Sequence, residues 1–292
     1  MLADRGLGQD RSRRGPWHAS GFVPSMLGHP VTHYMKSPVF IIAADTDLET
    51  ARHRLETQNV SCLGVSDGAE PLAAVISRTD LLRVARIVRG AEGASKLVLP
   101  AQKVRDYMHA PVFTLGPEAD MVSAAREMAE RSVHRLFVRK PHTLFGVVGT
   151  VEVMRALVDA RVTTPVAALM SAPVGTVDAR TPLAEATQRL RSTGVTGLVV
   201  VTGPEERPVG MFTQREALES TAHADHLPVD VMMSSRFITV HEITALHHAA
   251  AQAAATRARH VLVMEGKHLV GIVSGLDFAK AAAAAAAVGS HH

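Results

Sequence analysis

Apolar residues along this chain follow a pattern of short strands and helices that occurs four times. Each copy opens with an apolar phrase, and a helix with apolar positions at i, i+3 and i+7 begins thirteen residues after the second letter of that phrase. The four phrases are YMKSPVFII, YMHAPVFTL, LMSAPVGTV and MMSSRFITV, which begin at Tyr34, Tyr107, Leu169 and Met232. Because the register is the same in every copy, we expect all four to fold alike.

Two short apolar strands joined by a polar turn follow each predicted helix. An acidic residue then stands three places after the second of these strands, 45, 44, 46 and 44 residues after the methionine of the respective opening. The four acids are Asp80, Glu152, Glu216 and Asp277. The predicted unit is therefore β-α-β-β-α, an α+β fold. Its small sheet cannot bury both faces alone, so we expect the copies to pair.

This pattern resembles the cystathionine-β-synthase (CBS) domain family, whose repeats occur in tandem pairs called Bateman modules. The M-x-x-P-V opening and the closing G-h-h-[ST]-x-x-D, seen in GIVSGLDF and with alanine first in AVISRTDL, carry the resemblance. It implies a module 1 at residues 31–161, with repeats 31–90 and 104–161, and a module 2 at 165–285, with repeats 165–220 and 228–285. We expect an irregular arm at 1–30 and a tail at 286–292 that ends in a vector-derived remnant.

The resemblance implies a regulatory protein that senses an adenosyl ligand. AMP, ADP or ATP, with S-adenosylmethionine as a further candidate, would bind between paired repeats and change the orientation of the modules, and no cofactor is required. An enzyme is not expected, because the sequence contains no G-x-S-x-G elbow, Walker A loop or H-E-x-x-H motif. The alternative is a ligand-free CBS scaffold that mediates protein–protein contacts.

The segment SRTD, Ser77 to Asp80, stands where a strand is predicted to end and a helix to begin. An ionised carboxylate there can accept hydrogen bonds from both hydroxyls of a ribose. The same spacing is also that of a capping box, in which the acid bonds back to the end of the strand. We prefer the ribose role for Asp80 and Asp277 and the cap for Glu216, whereas Glu152 suits neither role and no ribose contact is expected from it.

The resemblance also implies a partner for Asp80 across the repeat boundary. In nucleotide-binding members of the family, a His-Arg pair of the partner repeat meets the phosphate, since a guanidinium and a protonated imidazole both suit an anion. Ser77, Thr79 and Asp80 of repeat one would hold the ribose. The backbone of repeat two at Val112 and Phe113 would flank the base, and its side chains His134 and Arg135 would bind phosphate. Alternatively, His134 merely packs and Arg135 points to solvent.

The equivalent site of module 2 departs from this pattern. Its predicted residues are Val174, Gly175, Thr196, Ser274 and Asp277. The segment VTGLVV offers no cation where VHRLFV has two, so the site either takes a less anionic adenosyl ligand or is empty. A further candidate site combines Glu216 with Arg259 and His260.

Composition narrows the class of partner. The chain has 292 residues, is 47% hydrophobic and has a formal net charge of +3 with acids and bases interleaved, which gives no reason to expect nucleic acid. A membrane-spanning helix needs about 20 consecutive apolar residues, and no apolar run in the sequence is that long. A cytoplasmic location is therefore expected. The only cysteine, Cys62, is expected in a core. The histidines are scattered along the chain, so no metal site is expected. We expect a homodimer that forms through exposed helix faces. It would act on a regulated protein that the sequence does not identify.

Overall fold

The computed structural model describes residues 25–89, 95–141, 143–220 and 226–289. Most of the predicted N-terminal arm and the end of the predicted tail lie outside these residues. Within them the chain forms four three-stranded sheets and eight helices, which confirms the mixed α and β class and the four repeats. No described helix combines the length and the apolar character needed to cross a bilayer.

Module 1 contains the first two repeats and one hairpin. Repeat one consists of β1 (Ile41–Ala43), α1 (Leu48–Thr57), β2 (Cys62–Ser66), β3 (Ala74–Ser77) and α2 (Arg78–Val84). The hairpin consists of β4 (Arg86–Arg89) and β5 (Ser95–Val98). Repeat two consists of β6 (Thr114–Leu115), α3 (Met121–Arg131), β7 (Arg135–Lys140), β8 (Thr143–Gly149) and α4 (Thr150–Asp159). The sequence analysis did not predict the hairpin, and α2 ends before it.

Module 2 repeats the same order of elements. Repeat three consists of β9 (Thr176–Asp178), α5 (Leu183–Thr193), β10 (Gly197–Thr202), β11 (Arg207–Thr213) and α6 (Gln214–Glu219). Repeat four consists of β12 (Ile238–His241), α7 (Leu246–Thr256), β13 (His260–Glu265), β14 (His268–Ser274) and α8 (Gly275–Gly289). In every sheet the central strand pairs in parallel with the first strand and antiparallel with the third.

The register of each sheet places the start of the central strand beside the start of the closing helix. Cys62 at the start of β2 is paired with Ser77, the residue before α2. In repeat two Arg135 is paired with Gly149, and the other repeats follow the same rule. The cationic pair and the acid that the sequence singled out therefore occupy the same end of their sheets.

The opening segment of each repeat packs on the partner repeat of its module. Val31 lies in the core that contains repeat two, and Val104 lies in the core of repeat one. One residue of each opening forms an antiparallel bridge to the closing strand of the partner repeat. The residue that it faces there lies two positions before the residue that precedes the closing helix. We call the position in the opening the bridge position. It is occupied by Lys36 (opposite Val147), His109 (opposite Val75), Ser171 (opposite Ile272) and Ser234 (opposite Met211).

The exchange of opening segments explains the glycine of the closing motif. A Cβ atom at Gly146 would lie 2.6 Å from the backbone oxygen of Lys36 and 2.8 Å from the sulfur of Met35. Cβ atoms at Gly210 and Gly271 would meet the opening methionines of their partner repeats in the same way. In repeats two, three and four the closing strand therefore has a residue without a side chain where the partner's methionine crosses it, whereas repeat one has Ala74 there.

Gly146→Ala is expected to lower the free energy of unfolding by about 1–3 kcal/mol, the usual cost of overpacking. The backbone of Lys36 cannot move away without breaking its hydrogen bonds with Val147, both 2.9 Å long. Urea unfolding measures the change. Gly28→Ala is the control, because a Cβ atom there meets nothing within 4 Å. Equal stability of the two variants would contradict the explanation.

The two modules meet through the helices of repeats two and four. Helices α3 and α4 pack against α7 and α8, and these two repeats share one hydrophobic core. Repeats one and three have separate cores, and their short closing helices, α2 and α6, contact each other. We expected a homodimer because exposed helix faces would associate. In repeats two and four these helix faces pack against each other within one chain.

Candidate functional site

Asp80 is buried at the start of α2, where it forms a capping box with Ser77. One carboxylate oxygen, Oδ2, accepts from the backbone nitrogen of Ser77 at 2.8 Å and from its hydroxyl at 2.6 Å. The other oxygen, Oδ1, lies 2.7 Å from Nε2 of His109, at the bridge position of repeat two. The cap therefore uses one oxygen and leaves the second for a partner that can be exchanged.

The other three acids also cap their helices. Asp277 accepts from the backbone and hydroxyl of Ser274 at 2.8 and 2.7 Å, and Glu216 from the backbone of Thr213 at 3.0 Å. The expectation that Glu152 suits neither role was wrong, because it accepts from the backbone nitrogen of Gly149 at 3.0 Å. A cap to a backbone N–H requires no hydroxyl, so the glycine does not prevent it.

Arg135 reaches across the repeat boundary to repeat one. Its Nη2 donates to the hydroxyl of Ser61 at 2.6 Å, and its Nη1 donates to Sγ of Cys62 at 2.8 Å. Cys62, half-buried rather than within a core, is the strand partner of Ser77, which Asp80 caps. Arg135 thus does not point away to solvent. Cys62 and Ser77 are paired at the end of the sheet of repeat one. Arg135 contacts Cys62 and Asp80 contacts Ser77.

Module 2 contains a related arrangement. Nε2 of His260 lies 2.9 Å from the hydroxyl of Thr196, as Arg135 lies beside Ser61 in module 1. His260 is buried and is the strand partner of Ser274, which Asp277 caps. The structure therefore brings Thr196, Ser274 and Asp277 together around an imidazole. His260 at the start of β13 matches Arg135 in β7, and Thr196 precedes the strand partner of Thr213, so His260 also lies toward the candidate site at Glu216 that the sequence predicted.

The segments predicted to flank the base precede the first strands of repeats two and three. The backbone oxygen of Phe113 accepts from the nitrogen of Phe137 at 3.1 Å, and its ring lies under the Arg131 guanidinium, 4.7 Å from the ring centroid. Similarly, the backbone oxygen of Gly175 accepts from Val199 at 2.9 Å. Val112 and Val174, which precede these residues, are half-buried. The carbonyl groups of Phe113 and Gly175 thus accept hydrogen bonds from the central strands of their own repeats.

Basic side chains of all four repeats influence one another where the modules meet. They are Arg78, His134, Arg135, Arg215, Arg259 and His260. Burial lowers the pKa of Arg259, and the charges of Arg135 and Arg78 lower it further, while Glu216 opposes them. Burial also lowers the pKa of His134, assisted by Arg135 and Arg259. Both side chains nevertheless keep solvent-exposed surface.

His260 is the most strongly perturbed histidine of this group. Its pKa is lowered to about 4 by burial first, then by the charges of Arg259 and His134, with Asp277 acting in the opposite direction. The imidazole is therefore neutral at pH 7. An excess of mutually repelling cations favours an anion in this region. Among the residues that the structure describes, no three histidine, cysteine or acidic side chains are arranged to hold a metal ion.

One hydrogen bond connects a predicted ribose residue to the other module. The hydroxyl of Thr79, on α2, donates to Oε1 of Gln214 on α6 at 2.9 Å. Repeats one and three do not share a core, so this bond is part of a thin contact. A ligand that engages Thr79 would compete with this connection between the modules.

Comparisons with known proteins agree with the repeats. The family model described as "CBS domain" matches residues 31–86, 104–159, 166–223 and 229–284. No curated protein matches. Among solved structures, protein MJ1225 from Methanocaldococcus jannaschii, described as a proposed archaeal homologue of g-AMPK, is 16% identical with a TM-score of 0.70, over 87% of this chain and 99% of that chain. An uncharacterised conserved protein from Pyrococcus horikoshii is 17% identical with a TM-score of 0.63, over 87% of this chain and 100% of that chain. These similarities show the fold.

Proposed function

Because this chain belongs to the CBS-domain family, we propose that it is a regulatory protein that binds AMP, ADP or ATP at Asp80, between repeats one and two. The observation that carries the proposal is the position of Asp80 and Arg135 on either side of the Cys62–Ser77 pair. An adenosine nucleotide has a diol that donates hydrogen bonds and a phosphate that accepts them. A carboxylate and a guanidinium at one sheet end match these opposite requirements.

The charges around the site support a phosphate rather than a neutral ligand. Arg135 is bonded to a hydroxyl and a thiol, which are neutral groups. Exchanging them for phosphate oxygens replaces bonds to neutral acceptors by bonds between opposite charges, for which the fork of the guanidinium is well shaped. Arg135 lies close enough to His134 and Arg259 for its charge to lower the pKa of both. A bound anion relieves this repulsion.

Module 2 supports a different adenosyl ligand. Asp277 and Ser274 repeat the cap of Asp80 and Ser77, but Gly197 stands in the partner repeat where the Asp80 site has Arg135, and the imidazole beside Thr196 is neutral. A neutral partner gives little compensation for a polyphosphate. This site accordingly suits a less anionic adenosyl compound, with S-adenosylmethionine as the candidate.

Regulation would follow from the connection between modules. The Thr79 hydroxyl donates to Gln214 of the other module. A ribose that takes this hydroxyl favours an arrangement in which repeats one and three are no longer connected here. Only such a difference in affinity between two arrangements can shift their populations. The shared core of repeats two and four would act as the fixed side of this movement.

A ligand-free scaffold is the second candidate function. It is favoured by the observation that all four acids already cap helices and that Arg135 is bonded to protein groups. In that case the repeats assemble a surface for another protein and nucleotides have no effect on stability.

Thermal unfolding with AMP, ADP, ATP and S-adenosylmethionine distinguishes the two functions. A ligand at 100 times its dissociation constant should stabilise the parent by about 2.7 kcal/mol. Asp80→Ala should lose this stabilisation by AMP, ADP or ATP. Asp277→Ala, which removes the equivalent cap in module 2, is the control and should retain it. The ligand-induced difference is compared within each variant, because loss of a cap alone costs about 1 kcal/mol.

Two results would overturn the assignment. If no compound stabilises the parent, the scaffold function is supported. If Asp80→Ala is stabilised as strongly as the parent, a nucleotide binds elsewhere and Asp80 is only a cap.

A further inference from the structure

The four bridge positions face the four capping acids with the same backbone geometry but with different side chains. His109 exchanges two backbone hydrogen bonds with Val75, of 2.8 and 3.0 Å, and Lys36 exchanges two of 2.9 Å with Val147. Ser171 and Ser234 make the same bridges in module 2. Since the backbone fixes where each side chain starts, the residue type at this position decides whether the partner repeat supplies a base to the acid. In module 2, where both residues are serine, Oδ1 of Asp277 instead lies 3.5 Å from Nζ of Lys280 on its own helix.

In module 1 both bridge residues are basic and reach the carboxylate oxygen that the cap leaves over. Nε2 of His109 lies 2.7 Å from Oδ1 of Asp80, and Nζ of Lys36 lies 3.1 Å from Oε1 of Glu152. The acids are almost completely buried, with side-chain exposures of 8% and 5%, whereas the bases are exposed. Each base therefore covers its acid from the solvent side.

We infer that in module 1 the residue at the bridge position controls the access of a ribose to the capping acid, and that His109 sets access to Asp80. This inference rests on the proposed function. A diol that uses both carboxylate oxygens must displace the base at the second one. Lysine stays charged at all physiological pH values, so Glu152 remains paired. A histidine loses its charge between about pH 5 and 8, after which its hold on the carboxylate weakens.

The charged surroundings of His109 are simple in the part of the chain that the structure describes. The charged group in contact with its imidazole is Asp80 from α2. Strand β3, opposite its backbone, has the sequence AVIS and carries no titratable side chain. On its own segment, the Arg105 guanidinium is paired with Asp45, and Asp106 accepts from the backbone of Lys103. A ribose that displaces the imidazole therefore separates it from the one charged group in contact with it among the described residues.

The pH dependence has to be read as a difference between variants. His134 also titrates near the site, and a bound phosphate favours its protonated form, which makes binding tighter as the pH falls. Loss of access through protonated His109 acts in the opposite direction. Comparing variants at position 109 under the same conditions separates the two, since His134 is unchanged in all of them.

The test is calorimetric titration of AMP into the parent, His109→Ala and His109→Lys at pH 6 and pH 8. At pH 6 His109→Ala should bind about two- to fivefold more tightly than the parent, the factor expected for an exposed ion pair. His109→Lys should bind more weakly than the parent at both pH values, because the ammonium keeps its charge. The advantage of His109→Ala should shrink at pH 8.

Lys36→Ala is the matched control. Lys36 and His109 have the same position in their repeats and nearly the same side-chain exposure, 57% and 59%. If the gain in affinity came only from a changed net charge or a looser opening segment, Lys36→Ala would show it as well. We expect no tightening at the Asp80 site, which is identified by its loss in Asp80→Ala.

The outcomes separate this inference from the proposed function. If AMP binds through Asp80 with equal affinity in the parent and both position-109 variants, the role of His109 is refuted and the nucleotide site stands. If AMP binds His109→Ala but not the parent, both are supported. If AMP binds neither of these proteins, the nucleotide site and the role of His109 are both refuted.

Discussion

Phe278→Ala is expected to lower the free energy of unfolding by about 3–5 kcal/mol, the range for truncating a buried phenylalanine. Phe278 is fully buried on α8, in the hydrophobic core that repeats two and four share. The cavity therefore weakens the contact between the modules as well as repeat four. Urea unfolding measures the total loss. Hydrogen exchange of the amides in β7, which belongs to repeat two, measures whether the loss reaches the other module.

Phe212→Ala is the matched control for this prediction. Phe212 is also fully buried, but it lies in the core of repeat three. Its truncation should cost a similar amount and leave exchange in β7 close to that of the parent. If Phe278→Ala also leaves exchange in β7 unchanged, repeats two and four do not unfold as one unit. The fixed side that we propose for the regulatory movement would then be absent.

Acidification is expected to destabilise the protein through His260. Burial and the neighbouring Arg259 lower its pKa from the ordinary 6.5 to about 4. Between these values the unfolded chain binds a proton that the folded chain does not. Stability therefore falls as the pH is lowered from 6.5 to 4, by about 3 kcal/mol from this residue if the whole shift is realised. The contribution is constant above pH 6.5.

Urea unfolding at pH 7, 5 and 4 tests this prediction on the parent and on His260→Gln. The amide of glutamine does not titrate, so the variant should lose less stability than the parent between pH 7 and pH 4. His248→Gln, at an exposed position on α7, is the control and should follow the parent. The expected role of His260 is wrong if the parent and His260→Gln lose the same stability. Titratable groups that do not interact with His260 contribute equally to all three proteins, so the comparison reports His260 together with its coupling to His134 and Asp277.

The repeats were predictable because their signals are local in sequence. The spacing from Met35 to Asp80 recurs nearly unchanged in every copy, and the helix periodicity between them needs no tertiary contact. The capping box at Ser77 was one of two interpretations for the same reason, since a cap involves residues three apart. The hairpin after α2 was not predicted, although its strands contain β-branched and aliphatic residues, because each strand has only four residues and neither belongs to the repeated pattern.

The contacts of the candidate site were only partly predictable. The resemblance pointed to Arg135 near Asp80, but its bonds to Ser61 and Cys62 follow from the way two sheets face each other. The contact between His109 and Asp80 depends on the exchange of opening segments. The constant offset between bridge position and opening methionine was a usable signal for it, because each bridge residue directly follows that methionine.

The amino-acid sequence by itself determined four equal units, the acid at the end of each and the family to which they belong, because periodicity, caps and motif spacing act over a few residues. Only the tertiary structure decided which surfaces of the units pack together. The opening segments pack on the partner repeat of each module. Repeats two and four share one hydrophobic core, whereas repeats one and three have separate cores. The reason is that a three-stranded sheet leaves apolar surface uncovered, and the surface that covers it lies far away along the chain.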